Sequence, residues 1–303
     1  MRPSHWTKNL VLLTPLPFSG RWAEPWAWLD ALLALAAFCL ISSGIYLFND
    51  FTDRAADRLH PVKRHRAVAS GRLSPGAALA AAIVLILLGA GIVVAVTAAI
   101  AHPDRPLRGL GLPVWTGAYI MLNLAYSLDL KRRPILDVVI VAFGFVLRAM
   151  AGAAAILVVI SPWLVVCTFM LCLFIALAKR RSEIVELGQP AEQTRAVNHF
   201  YAHSNIEHML SVSAGLAIVT YSLYCLAPRT IDHIGSANLV WTIPLVVYGM
   251  FRYYAQTMRA GSQDPTQILL RDKVLWVVAG LWLLAVMVVV KWGRSELLKG
   301  LLQ

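Results

Sequence analysis

The sequence predicts an all-α polytopic membrane protein, and three observations carry that prediction. Of its 303 residues, 59% are hydrophobic and 14% charged, against about 45–50% apolar and about 25% charged in water-soluble domains. Apolar runs of spanning length recur along the chain. The charges between them are uneven: 27 Lys and Arg against 16 Asp and Glu leave a net +11, and the bases gather in every second connection. This combination excludes a disordered chain and argues against an ordinary water-soluble enzyme. Spans must be helical, because lipid offers open backbone groups no partner.

Taken in order, the apolar runs predict about nine transmembrane helices at 6–19, 26–48, 76–101, 107–128, 135–160, 162–178, 205–227, 237–258 and 274–292. The first is short and interrupted by Pro15 and Pro17. With Arg2 and Lys8 ahead of it, it has the outline of a signal peptide. No small-x-small cleavage site follows, so the expectation is a mature N-terminal segment. Nineteen of the 27 bases fall on the side of the N-terminus. That bias orients this side to the cytoplasm, as in a bacterial inner (plasma) membrane protein, and an odd number of spans then puts the C-terminus outside. Neither a soluble domain nor a 20–50-residue repeat is visible, so residues 1–303 are expected to form one transmembrane domain. Cys39, Cys167, Cys172 and Cys225 sit in apolar stretches without CxxC or zinc spacing and are expected to pack.

A topology signal explains bases on one side, but eleven of the 16 acids lie there too. The second run ends GIYLFNDFTDRAADRLHPVKRHR. On a helix, Asn49, Asp53 and Asp57 (i, i+4, i+8) line one face, with Asp50 beside them. Carboxylates so placed repel by about 0.2–0.5 kcal/mol per i,i+4 pair unless a cation intervenes. Oxygen-only donors suit Mg²⁺, which completes its shell with substrate phosphates. Arg54 and Arg58 interleave and offer the plainer reading, a solvated helix end. Against it stands the basic run just beyond: His60, Lys63, Arg64, His65 and Arg66, a set suited to phosphate.

The fourth run closes at Tyr126, Asp129 and Lys131, and the fifth opens after Pro134 with Asp137 in its first turn. Asp137 there either caps the helix or joins a metal site. Arg148 follows eleven residues later, about three turns and about 16 Å along the same face. A buried arginine costs at least about 2.5 kcal/mol and must face the bundle interior. It is either a structural clamp or a ligand for an anion in a cavity. Lys179, Arg180 and Arg181 close the sixth run, with Glu183 after them, as membrane anchors or phosphate ligands. His199, His203 and Glu207 have zinc-like spacing, but Ser204 and Glu207 read better as a capping box. Arg252 and Tyr253 lie at a membrane edge, and Asp264-Pro265 is expected to begin a short helix.

These motifs resemble a known family. NDFTDRAAD at 49–57 resembles the NDxxDxxxD motif of the UbiA-type intramembrane prenyltransferases. RPSHWTKN at 2–9, YSLDLK at 126–131 with Asp137, GFVLRAMAG at 144–152, LAKRRSEIVELG at 177–188 and DPTQILLRD at 264–272 resemble the polyprenyl-phosphate phosphoribosyltransferase branch. The chain departs from the pattern at Ala67, where proline is usual, and at the additional acid Asp129. The resemblance implies nine helices around a central cavity open to the cytoplasm, and transfer of 5-phosphoribosyl from phosphoribosyl diphosphate to a polyprenyl phosphate. It implies Mg²⁺ on Asn49, Asp50, Asp53 and Asp57. Asp50, Asp53, Asp57, Lys131 and Asp137 carry catalysis in this reading. Lys8, Lys63, Arg64, Arg66, Tyr126, Arg148, Lys179, Arg180, Glu183 and Arg252 bind substrates. Lys63, Arg66, Lys179 and Arg180 are expected on the donor's phosphates, and Lys131 or Arg148 on the lipid phosphate. The expected partners are the two substrates and the membrane, with no nucleic acid and homo-oligomerisation left open. An aromatic prenyltransferase of the same superfamily is the alternative; a transporter would leave the aligned oxygen ligands unexplained.

Overall fold

A computed structural model of the protein describes residues 3–59, 63–100, 109–187, 200–201, 206–259, 268–269 and 271–292. Among these residues the chain is helical and turn, without strands. The helices are α1 (Pro15–Ser19), α2 (Pro25–Thr52), α3 (Arg54–Leu59), α4 (Pro75–Ile100), α5 (Gly111–Leu128), α6 (Leu136–Ala155), α7 (Pro162–Leu187), α8 (Ile206–Leu226), α9 (Pro228–Ile234), α10 (Ile243–Arg259) and α11 (Lys273–Trp292). Proline opens α2, α4, α7 and α9, where the missing N–H costs nothing and φ is preset. Gly235 ends α9 at φ 80°, a left-handed cap that a side chain would oppose.

Six of these helices, α2, α4, α6, α7, α8 and α11, are long and apolar enough to cross a membrane. A seventh span arises if α9 and the stretch Asn238–Arg259 count together across their 99° bend. The protein is therefore a multi-pass membrane protein with six to seven candidate spans among the described residues. Two expected spans are not among them. The N-terminal run is a 3-10 helix over Pro3–Leu13 followed by the five-residue α1, because Pro15 and Pro17 break its hydrogen bonding. Helix α5 is only 18 residues long and is diluted by Pro113, Asn123 and two tyrosines.

The contacts sort the chain into two units. The first comprises residues 1–16, 22–131 and 147–159. Its central contact is α2 on α4, with Gly44 and Gly89 at the crossing. A Cβ on Gly44 would stand 2.7 Å from the Ala82 carbonyl oxygen, and one on Gly89 2.7 Å from that of Ala37. Small residues let the backbones touch, which matters in lipid because apolar side chains gain little by leaving it. The core gathers Leu12, Phe38, Ile41, Tyr119, Leu147 and Ala151. The 3-10 helix is seated so closely that a Cβ on Gly152 would lie 1.9 Å from the Leu12 carbonyl oxygen.

The second unit comprises residues 17–21, 132–146 and 160–303. One core packs Val138, Phe174, Leu177, Leu210, Met250 and Tyr253. Another packs Tyr221, Tyr224, Ile234, Leu239 and Val286, with Phe18 against it. Helix α6 contributes residues to both units, changing membership after Val146.

Candidate active site

The acidic motif of the first unit sits where α2 ends. Twenty-eight residues rise about 42 Å, about 12 Å more than a hydrocarbon core, so the last turns of α2 have length to leave the lipid. The expected unbroken helix through Asp57 is not what forms. Asp53 closes α2 with φ −89° and ψ 0°, and α3 starts at Arg54. The i→i+4 hydrogen bonds nevertheless continue across the break, from Asp53 N to Asn49 O (2.9 Å) and from Asp57 N to Asp53 O (2.8 Å).

The four oxygen donors divide into two pairs, each around a base. Arg66 donates through Nη1 to Asp50 Oδ1 at 3.2 Å and to Asp57 Oδ2 at 2.8 Å. Lys131 donates through Nζ to Asp53 Oδ1 at 2.5 Å and to Asn49 Oδ1 at 3.1 Å, and the Asn49 amide donates to Asp53 Oδ2 at 3.2 Å. Asp50 and Asp57 are buried; Asn49, Asp53, Arg66 and Lys131 are half-buried. The cation that repulsion between these carboxylates called for is thus supplied by the protein itself. Lys63 and Tyr126 are half-buried, and Arg64 is exposed beside His65. His60 lies outside the described residues.

The residues fit magnesium in a particular way. Two oxygen donors converge on one positive nitrogen in each pair, so each pair already addresses a cation. Mg²⁺ typically takes one or two carboxylates and fills its octahedron with phosphate and water. Among the described residues no three acidic, histidine or cysteine groups are clustered to hold a metal unaided. The donors of Asn49, Asp50, Asp53 and Asp57 therefore suit a metal whose shell a phosphate substrate and water complete.

Arg148 on α6 is buried at 5% exposure. Its Nε donates to Asn9 Oδ1 at 2.9 Å, its Nη2 donates to Tyr119 Oη at 2.6 Å, and its guanidinium lies 4.6 Å from the Tyr119 ring centre. Asn9 in turn donates to Ser42 Oγ at 3.1 Å. The arginine therefore ties the N-terminal 3-10 helix and α5 to α6 through neutral oxygens and a π face. Lys8, the residue the sequence favoured in this segment, is half-buried next to Asn9.

In the second unit Asp137 is fully buried in the first turn of α6. Arg180 Nη2 donates to its Oδ2, and Tyr201 Oη donates to its Oδ1 at 2.8 Å. Arg180 Nη1 also donates to Glu183 Oε2 at 2.6 Å, and the Tyr201 hydroxyl accepts the Ile135 N–H at 2.9 Å. Burial, and then the bond to Asp137, push the Tyr201 hydroxyl above its ordinary pKa, so it is a neutral donor. Helix α6 starts at Leu136 rather than at Pro134, because Ile135 stands in the left-handed region at φ 65°.

Helix α7 does not end at residue 178 as expected. It runs to Leu187, and the i,i+3 pair of Arg180 with Glu183 supports its last turns. Successive bases on a helix point about 100° apart. Lys179 is accordingly exposed, Arg180 is buried on Asp137, and Arg181 reaches Glu207 at 3.2 Å and the Thr257 carbonyl at 3.2 Å. Arg252 makes two bonds to Asp272, at 2.8 and 3.1 Å. His199, His203, Ser204 and the Asp264-Pro265 start lie outside the described residues. Sequence reasoning missed Asn9, Tyr119 and Tyr201. The demand of a buried arginine for oxygen acceptors pointed toward the first two, whereas nothing local marked Tyr201.

The model of the UbiA prenyltransferase family matches residues 16–270. A decaprenyl-phosphate phosphoribosyltransferase of Corynebacterium glutamicum is 31% identical over 96% of this chain and 85% of its own length. The protein of that name from Mycolicibacterium smegmatis is 30% identical over 93% and 88%. In fold, the chain is similar to a UbiA homolog from Archaeoglobus fulgidus bound to GPP and Mg²⁺. The TM-score is 0.64 at 18% identity, over 94% of this chain and 99% of that one.

Proposed function

Since the chain belongs to the UbiA prenyltransferase family, we propose that it transfers 5-phosphoribosyl from phosphoribosyl diphosphate to a polyprenyl phosphate of the decaprenyl type, releasing diphosphate. One observation carries this reading: two oxygen pairs at the end of α2, each set on a base, in a chain about 30% identical along nearly its whole length to enzymes of that name. We propose further that residues 1–303 form one domain, a reading supported by a single family match over residues 16–270 that includes parts of both units.

An oxygen of the lipid phosphate attacks the anomeric carbon, and the C1–O bond to diphosphate breaks. The nucleophile is already an anion, so no general base is needed. Positive charge grows on the ribose and negative charge on the leaving group. Asp50, Asp53 and Asp57, with Asn49, would hold Mg²⁺, which when bound supplies charge neutralisation at the departing diphosphate. Arg66, Lys131, Lys63 and Arg64 would bind phosphate oxygens of the donor. Lys179 and Arg180 serve as further phosphate ligands, with Glu183 fixing Arg180. Lys131 or Arg148 holds the lipid phosphate, and Lys8, Tyr126 and Arg252 complete the substrate contacts. We place the N-terminus and the active site on the cytoplasmic side, toward which the Lys and Arg bias points, and the C-terminus outside.

Membranes carrying the protein are incubated with phosphoribosyl diphosphate labelled in the ribose, polyprenyl phosphate and Mg²⁺. Label in the lipid phase is the expected outcome. No labelled lipid, with consumption of prenyl diphosphate in the presence of an aromatic acceptor, overturns the proposal.

A further inference from the structure

The geometry points to Tyr201 as a positioning residue that sets Arg180 for the donor by way of Asp137. This rests on the reading of Arg180 as a phosphate ligand. Tyr201 is 1% exposed, and its one hydroxyl serves two masters. It accepts the Ile135 N–H and donates to Asp137 Oδ1. The carboxylate of Asp137 can only accept, so the hydroxyl proton is directed to it, while a lone pair of the same oxygen takes the Ile135 N–H. The other oxygen of Asp137 takes Nη2 of Arg180, and Glu183 takes Nη1. The guanidinium also lies 6.0 Å from the Tyr201 ring centre. A guanidinium bonded on two nitrogens, with its anchor carboxylate fixed at both oxygens, has little freedom left to rotate. That stiffness is what presenting a fork to phosphate requires.

The backbone supports the same conclusion. Ile135 is β-branched and stands at φ 65°, a conformation such residues rarely adopt. Strained residues of this kind persist where surrounding contacts over-determine them, and cluster at functional sites. Here the Ile135 N–H is held by the same hydroxyl that holds Asp137. Tyr201 thereby joins the strained turn before α6 to the acid in the first turn of α6. A plain packing tyrosine needs only one of these bonds.

The test is a double-mutant cycle in purified, lipid-reconstituted protein, with Tyr201→Phe, Arg180→Lys and the double variant. Tyr201→Phe keeps the ring and removes the hydroxyl. It should raise KM for phosphoribosyl diphosphate about tenfold, leaving kcat and the KM for polyprenyl phosphate within about twofold. In the Arg180→Lys background the same change should add less than about twofold, because the residue it acts through is already altered. Losses that multiply, or an equal rise in KM for both substrates, overturn the proposal. A cycle run with Tyr201→His covers the case in which Tyr201→Phe does not melt cooperatively, and multiplying losses there overturn it equally. If phosphoribosyl transfer is absent in wild type but prenyl diphosphate is consumed, the substrate reading fails. The cycle is then read on KM for prenyl diphosphate, and coupling or its absence judges Tyr201 separately.

Discussion

At the end of α2, three aspartates and an asparagine meet Arg66 and Lys131 on long, flexible stems, and most of the participants keep some access to solvent. At the start of α6, one aspartate meets one arginine, but that aspartate is fully buried and both of its oxygens are taken. The residue types are the same and the consequences differ. The pairs at the end of α2 are partly shielded, with side-chain exposures of 25% for Arg66, 10% for Asp50, 5% for Asp57, 10% for Lys131 and 17% for Asp53, so the value for exposed pairs, about 0–1 kcal/mol, is a lower bound for them. A buried pair is only weak evidence of net stability, yet removing one partner leaves a charge in low dielectric and costs about 3–5 kcal/mol. The first cluster keeps some access to solvent, and the second is closed to it.

The largest expected effect tests the first cluster. Asp53→Ala and Asp57→Ala should each lower kcat/KM by about a thousandfold or more, roughly 4 kcal/mol, with membrane insertion preserved. Removing Mg²⁺ with a chelator should do the same to wild type. Wild-type rates in both variants would break the comparison at its first term.

Stability measurements sharpen the second term. Asp137→Ala should lower stability by about 3–5 kcal/mol, and by more than Asp53→Ala, whose carboxylate keeps some solvent access, in denaturant titrations of the reconstituted protein. Equal costs would mean that burial does not separate the two clusters.

A smaller effect concerns the turn that Tyr201 holds. Ile135→Gly relieves a left-handed β-branched residue but frees the unfolded chain, so stability should change by no more than about 1 kcal/mol. The Ile135 side chain is half exposed and adds little packing. A loss beyond about 2 kcal/mol would show that φ 65° is not strained in this setting.

The smallest effect is a pH dependence at Asp272, a third variant of the acid–arginine theme. Hydrogen bonds from Arg252 hold its carboxyl below the ordinary range, with the Val274 and Leu275 N–H groups adding to the effect. A depressed pKa means that the contribution is present above about pH 4, the ordinary carboxylate value, and disappears as pH falls through the lower folded value. The melting temperatures of wild type and Asp272→Asn should therefore differ between pH 5 and 8 and converge below about pH 4. A difference that persists into acid would assign Asp272 a role other than pairing with Arg252.

Much of the site was legible in the chain because its signals are local. NDFTDRAAD announces itself through spacing along one helix face, and Arg148 through the cost of a charge in lipid. What misled was also local. The Asn49–Asp57 pattern implied one unbroken helix, whereas α2 closes at Asp53, and Arg66 and Lys131 return to pair its oxygens two by two. The basic triplet at 179–181 reads as a helix end, but α7 continues and sends the three side chains in separate directions. Tyr201 was invisible because an aromatic in a polar stretch carries no mark of the acid, sixty-four residues earlier, that it will meet.

Composition and the spacing of apolar runs determined by themselves that this is a helical membrane protein, and the crowding of acids among bases marked its polar edge. Those properties follow from transfer energies and helix periodicity, which act on neighbours in the chain. Which base neutralises which acid, and which carboxylate is locked, only the tertiary structure decided. Burial and hydrogen-bond partnership depend on residues brought together from tens of positions away, and a one-dimensional pattern does not encode that distance.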